Sequence, residues 1–445
     1  MSTFSIHGRP VHLSYSTNVH PAENVAELET VLRQQVAPVS RAAFGAGVAA
    51  VNLRLGMYQA DELLGNPVLG STSTLTDAML SAGPAPACEK FIALLDELKL
   101  DVVSINAFPI RDFHAPRVKE QVYSPPWTDG GRSLNSYKIA KVMALFMARP
   151  SVNRTVANIS VPSGVYKGLY SDSDEVREQC GHWMTECVRE LLRLQRLTGR
   201  TVQLGLEPEP STTGESCEEF VSYYEALLSV ARSKFPTQLG ISRAQSDELM
   251  RRFVTVNLDL CHQAVEFEDP LVDLKMWRAA GITLGGIHIS AALKLSEPAQ
   301  NAEAFAQLKA MDEPRYLHQV IGRTRDNQLI RFHDLPEIWN PKKLGARTIS
   351  DFSELRCHFH VPLFTELEGP LKTTRDAVAP AVKYALQEGL TNNFVCETYT
   401  WHVLSSLLGQ GNAGAKAVIG SDGKVDVQAG IVRELLWAKG VMESA

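Results

Sequence analysis

This chain of 445 residues lacks several features, and each absence excludes a class of protein. No stretch approaches the ~20 consecutive apolar residues that a membrane-spanning helix needs, so no membrane insertion is expected. Cysteines are few and odd in number (Cys88, Cys180, Cys187, Cys217, Cys261, Cys357, Cys396), and none forms a CxxC. That speaks against a disulfide framework and for a reducing compartment. The opening MSTFSIHGRPVHLSYSTNVH has no apolar core behind a basic cap, so a cytoplasmic protein is expected. Positive charge is also short: 44 basic against 50 acidic side chains leave −6, which does not fit a nucleic-acid partner. No P-loop, HExxH, GxSxG or zinc-finger spacing occurs. GQGNAG (409–414) spells G-x-G-x-x-G but follows the helical pattern WHVLSSLL, whereas a dinucleotide fingerprint must follow a strand.

What is present is an ordinary folded composition, 44% apolar, with a strong alternation of elements. Short, nearly continuous apolar runs at 12–17, 47–55, 101–108, 156–162, 201–207, 254–260, 284–290 and 393–399 suit parallel strands covered on both faces. Between them lie helical periods at 23–35, 87–99, 133–148, 174–197, 216–234, 270–279 and 376–388. Over 174–197, Val176, Cys180, Trp183, Cys187, Leu191 and Leu194 share one face, acidic residues open the helix and Gly199 follows it. Eight strands with crossover helices predict an α/β fold, a (β/α)8 TIM barrel, with long insertions on the catalytic face. An open doubly wound sheet is the competitor. Residues 1–445 read as one such domain, with a long loop at 56–86, a loop-like 107–132, a large insertion about 291–357 and a C-terminal extension about 409–445.

Polar side chains at the C-terminal ends of barrel strands converge on one pocket. Here the fifth strand ends in Glu207 and Glu209, the sixth in Asp259 and His262, the seventh contains His288 and the eighth Glu397. A charged group inside an apolar strand costs several kcal/mol or more unless it is paired. A shared cation would neutralise Glu207, Asp259 and Glu397 together, with His288 as the fourth ligand. Three carboxylates and one imidazole suit Mn²⁺, Mg²⁺ or Zn²⁺. His262 can face a substrate or a second metal. His358 and His360, spaced i,i+2, share a face if extended and can hold a further metal. Cys261 and Cys396 neighbour the ligand candidates in sequence, and strand alternation would turn them away to pack behind the site. His20 and Asn106, at the ends of the first and third strands, and Trp127 are further candidates for substrate contact. Phe108, Phe113, Tyr123, Trp127 and Tyr316 can roof the pocket, and Arg111, Lys119 and Arg315 can meet an anionic group.

A Glu, an Asp-x-x-His, a His and a final Glu on strands five to eight resemble the xylose-isomerase-like TIM barrels. That resemblance implies Glu207, Asp259, His288 and Glu397 as metal ligands, the two glutamates as proton carriers and His262 as a substrate contact. More narrowly, STNVHP (16–21), SINAFPIRDFH with RVKEQVYSPPW (104–127), LEPEP (206–210), DLCHQAVEFED (259–269), ISAAL (289–293), EPRYLHQV (313–320), HFHVPLF (358–364) and ETYTW (397–401) are similar to the metabolite traffic proteins called EboE. This implies a place in an ebo-type secondary-metabolite pathway, a cyclitol-like metabolite and association with other proteins of that pathway.

Three activities follow as expectations. The first is isomerisation or epimerisation of a small polyhydroxylated substrate, a sugar or cyclitol ketone, by proton transfer through an enediolate. The second is metal-dependent phosphoester hydrolysis of the endonuclease IV type. The third is a non-catalytic metabolite carrier on the same barrel.

Overall fold

The computed structural model describes every residue except Met1, His7, Ser71, Glu368, Gln410 and Asn412. Eight strands form its centre: β1 (Arg9–Tyr15), β2 (Ala49–Arg54), β3 (Leu100–Asn106), β4 (Val156–Pro162), β5 (Thr201–Glu207), β6 (Val254–Asp259), β7 (Leu284–Ile289) and β8 (Asn393–Cys396). From β2 onward each pairs in parallel with the next, and β8 returns to pair with β1. A parallel bridge between Ser16 and Asn52 joins β1 to β2 and closes the ring. The fold is a (β/α)8 barrel, as the alternation predicts. Every residue of β2 and of β6 is buried, so the polar side chains on one face of each, Asn52 and Arg54, and Thr255, Asn257 and Asp259, lie inside the protein.

The helix Asp174–Thr198 shows how the outer layer is specified. Ser173 caps it by accepting from Val176 N, Asp174 and Glu175 sit against the positive helix end, and Gly199 ends it at φ 69°. Cys180, Met184, Cys187, Val188, Leu191 and Leu194 form its buried face. A fully buried leucine contributes about 1.5–3 kcal/mol, so this stripe holds the helix on the barrel.

Three segments differ from the sequence reading. Residues 56–86 are not all loop: they hold helices Met57–Leu64 and Asp77–Ser81. The first is started by Gln59, whose Oε1 accepts from Gly56 N, and Gly65 ends it at φ 71°. Helix Arg243–Phe253 also escapes the apolar pattern, because only Ser246, Leu249, Met250 and Phe253 are buried and its exposed face is charged. Beyond β7 the chain builds a five-stranded antiparallel sheet from Leu293–Ser296, Val320–Thr324, Leu329–Phe332, Phe352–Cys357 and Leu371–Thr373. GQGNAG begins at the last residue of helix Ser405–Gly409 rather than after a strand, and its Gln410 and Asn412 lie outside the described residues.

The closing helix Val427–Glu443 packs on helix Ala37–Phe44 and β1. It buries Glu434, whose Oε1 accepts from Thr398 Oγ1 at 2.6 Å and from Leu363 N at 3.2 Å. Burial pushes this carboxyl up to about 8. The unfolded chain ionises it near 4.3, so it costs the fold increasing stability as pH rises from there to 8. Glu434→Gln should therefore raise Tm, with a gain that is small at pH 5 and reaches roughly 2–4 kcal/mol at pH 8. Thermal melts across that range check it, and a pH-independent difference would refute it.

Candidate metal centre

The ends of β5 to β8 bring four side chains together. Ligand atoms of Glu207, Asp259, His288 and Glu397 all lie within 4.8 Å of one another, and all four residues are buried. His288 Nδ1 stands among the carboxylates, 2.7 Å from Glu397 Oε2, 3.3 Å from Glu207 Oε1 and 3.7 Å from Asp259 Oδ2.

Asp259 and Glu397 are each held by one oxygen and present the other. Asp259 caps the helix Leu260–Val265: its Oδ1 accepts from Cys261 N, His262 N and Ser290 Oγ at 2.8, 3.0 and 2.8 Å. Its Oδ2 has no hydrogen-bond partner. Glu397 Oε1 accepts from Asn18 Nδ2 at 2.6 Å and from Asn106 Nδ2 at 3.2 Å, leaving Oε2 to His288. Glu207 Oε2 is buried without a partner, and His288 Nδ1 makes ion-pair contacts but no aligned hydrogen bond. Orphaned buried polar atoms are rare and call for a reason. Two of them, Asp259 Oδ2 and His288 Nδ1, face one point together with Glu207 Oε1 and Glu397 Oε2, and three carboxylates around one imidazole fit a divalent cation. The proton competes for the same place. Burial alone would pull His288 down, but the Glu207 and Glu397 carboxylates outweigh it and hold the ring well above its ordinary value. Burial likewise pushes Glu397 up, yet His288 beside it dominates and brings the carboxyl to about 2.

The orientation of His288 is set from behind. Its Nε2 lies 3.2 Å from the side-chain amide of Asn257, whose carbonyl oxygen otherwise has no partner. Asn257 Nδ2 donates to Nε2, so the ring proton sits on Nδ1 toward the carboxylates; a cation at Nδ1 would replace that proton, and rotation of the amide would then let its oxygen accept from Nε2. Replacing Asn257 with Leu should weaken cation binding about 10–100-fold. Competition against a chromophoric chelator measures this, and an unchanged affinity would show that Nε2 needs no acceptor.

Beside this group lie three more histidines. His262 Nδ1 donates to Pro208 O at 3.0 Å, and the ring packs edge-on against His358 with centroids 4.6 Å apart. Burial would lower His262, but Asp259, Glu209 and Glu207 prevail and raise it. His358 is driven well below its usual value by burial, then by His262 and His360. His358 and His360 follow strand Phe352–Cys357 and place their Nε2 atoms 3.1 Å apart. His360 Nε2 also lies 3.9 Å from the open oxygen of Asp259.

The pocket above is walled by Phe108, Phe113, Tyr123, Tyr316 and Tyr399. Its two covering loops are latched together where Val118 N and Lys119 N both donate to Arg315 O. Lys119 is the one lysine or arginine among the described lining residues, and its ammonium is engaged by Asp334 Oδ2 at 2.7 Å and Glu313 O at 3.0 Å. Arg111 is exposed and donates to Tyr58 OH.

Two expected substrate contacts are not in the pocket. His20 follows the short helical turn Thr17–Val19, which sets its Nε2 3.1 Å from Tyr15 OH. Trp127 turns into the core, where its indole donates to Pro162 O at 2.7 Å. Asn106 does line the pocket, joined by Asn18 and by Glu209, which burial pushes up to about 7. Asn18 and Glu209 stand at strand ends in the sequence. Nothing there marks Asn257, which lies inside an apolar run.

No family model matches the sequence, and no curated protein matches it either. Among solved structures, the chain is similar to the probable 3-DHS dehydratase AsbF from Bacillus anthracis, a protein involved in petrobactin synthesis. That likeness covers 96% of this chain and 98% of the other, at 11% identity and a TM-score of 0.40. A second likeness, to the IolI protein with a binding zinc atom, covers 97% and 98% at 13% identity and a TM-score of 0.38. The fold and site themselves define a (β/α)8 barrel whose strand ends carry buried His, Asp and Glu clusters able to hold a metal. No described helix is long and apolar enough to cross a membrane.

Proposed function

We propose that this protein is a metal-dependent isomerase or epimerase of a sugar or cyclitol ketone. The observation that carries the reading is the disposition of two glutamates at one centre. Glu397 is fixed by Asn18 and Asn106, whereas Glu207 keeps a buried oxygen with no partner. Glu207, Asp259, His288 and Glu397 would hold a divalent cation of the Mn²⁺, Mg²⁺ or Zn²⁺ type. When bound, such an ion polarises a substrate carbonyl and its neighbouring hydroxyl. Glu207 Oε2 is then free to take the proton from the carbon beside that carbonyl. Glu207 would keep that proton while Glu397, having first taken up a proton from solvent, delivers it to the carbon from the other side, and His262 contacts a substrate oxygen. The aromatic walls keep water from the exposed carbanion character, and engagement of Lys119 by Asp334 favours an uncharged polyol over a phosphate ester.

The resemblance to the EboE proteins supports a place in an ebo-type secondary-metabolite pathway, with other proteins of that pathway as partners. Seven free, buried cysteines suit a reducing cytoplasm. The test is to incubate the Mn²⁺-loaded protein in D₂O with ketohexoses and cyclitol ketones. Deuterium should enter the carbon beside the carbonyl of at least one of them. No exchange in any member of the panel would refute the reading.

A second reading, phosphoester hydrolysis, draws on the paired Nε2 atoms of His358 and His360 beside the open oxygen of Asp259, because that chemistry uses two cations. Turnover of p-nitrophenyl phosphate together with two bound cations per chain would favour it over the first.

A further inference from the structure

Cys261 sits at the far edge of the centre. It is fully buried in the first turn of the helix that Asp259 caps, and its sulfur lies within 4.8 Å of ring nitrogens of His358 and His360. Strand alternation does not turn it away, because the strand ends at Asp259 and the next residues coil.

The two histidines supply an independent sign of a ligand. His358 Nδ1 donates to Gln319 Oε1 at 2.7 Å, and His360 Nδ1 donates to the backbone oxygen of Glu397 at 2.5 Å. A neutral imidazole has one N–H, so each ring presents Nε2 as a bare lone pair. These lone pairs face each other across 3.1 Å. They repel unless a proton or a metal ion lies between them. Rings oriented through Nδ1–H to an oxygen are the usual preparation of imidazole for a metal. The thiol of Cys261 donates weakly to Phe359 O at 3.7 Å, a bond given up at little cost.

We propose that Cys261, His358 and His360 form a second, softer cation site that takes Zn²⁺ in preference to Mn²⁺ or Mg²⁺. Sulfur and imidazole select zinc, whereas the neighbouring three carboxylates with one imidazole suit harder ions. On binding, the S–H bond is exchanged for a zinc–sulfur bond, and the thiol proton passes to solvent. One chain then sorts two metals by ligand type. Asp259 and His262 are the competing donors for His360, so the deciding question is whether sulfur enters the coordination.

The test loads the full chain with Co²⁺ and, separately, with Zn²⁺. Cobalt should give a near-ultraviolet sulfur-to-metal charge-transfer band, and zinc should reach two equivalents per chain. Zinc X-ray absorption of the unaltered protein should show a sulfur neighbour at about 2.3 Å. Cys261→Ser should abolish the band and halve the zinc, while Mn²⁺ affinity at the carboxylate-rich centre stays within about twofold. A band that survives Cys261→Ser, two cations with only nitrogen and oxygen neighbours, or a single cation without sulfur would each overturn the proposal. None of these results touches the isomerase reading, whose test counts carbon–deuterium bonds.

Discussion

An Asp259→Asn protein should bind divalent cation at least about a hundredfold more weakly than the parent and still fold. The asparagine oxygen can keep accepting from Cys261 N, His262 N and Ser290 Oγ, so the cap on Leu260–Val265 survives. What changes is the inner oxygen, which has no partner in the fold and faces His288. An amide there replaces a charge with protons pointed at the ion. Asp259→Ala loses the cap as well, at about 1 kcal/mol. The two variants therefore separate affinity from stability. A ligand present at a thousand times its Kd stabilises a fold by about 4 kcal/mol, so added metal should raise Tm in the parent and hardly at all in Asp259→Asn. Calorimetric titration and melts with and without chelator read both quantities. A titration curve for Asp259→Asn that overlays the parent's would remove Asp259 from the ligand set.

Glu397→Gln carries the other large expected effect. Solvent deuterium incorporation into substrate should fall by about 10²–10⁴-fold, the usual contribution of a positioned base, with the melting curve little changed. The glutamine oxygen can still accept from Asn18 and Asn106, so the side chain stays in place while the charge beside His288 is lost. Glu207→Gln should fall into the same range, since its unpartnered oxygen is the one proposed to take the substrate proton. Unchanged exchange in Glu397→Gln would exclude it from the proton path.

The barrel was readable because its strands are buried on both faces and so appear as short runs rich in apolar residues, broken only by single polar ones such as Asn52, Ser104, Asn158 and Thr255. The five-stranded sheet was not, because strands such as Val320–Thr324 and Leu329–Phe332 are short and each contains an arginine. Glu207, Asp259, His288 and Glu397 stand out as charges inside apolar runs, and the structure brings them together. Their supports do not stand out. Asn18, Asn106 and Asn257 act across hundreds of residues or through a neighbouring strand, and an amide in a strand has many ordinary uses. Cys261 packs with Ala264, Val265, Ala292 and Ile321, as expected, but it lies in the helix that Asp259 begins, where strand alternation no longer sets its direction. His20 and Trp127 were assigned by type and position, and each instead satisfies its polar atom on a nearby oxygen.

The ring of strands is fastened unevenly. Seven joints are sewn by runs of paired residues, but β1 meets β2 through the bridge of Ser16 and Asn52, with Arg54 N donating to Thr17 Oγ1 beside it. Asn18, which steadies Glu397, begins two residues past that seam. Amide protons along the seam should exchange with solvent before those of the other joints, and each brief parting there slackens the grip on the carboxylate. The timing of proton transfer would then be set partly by how often one stitch in the wall comes undone.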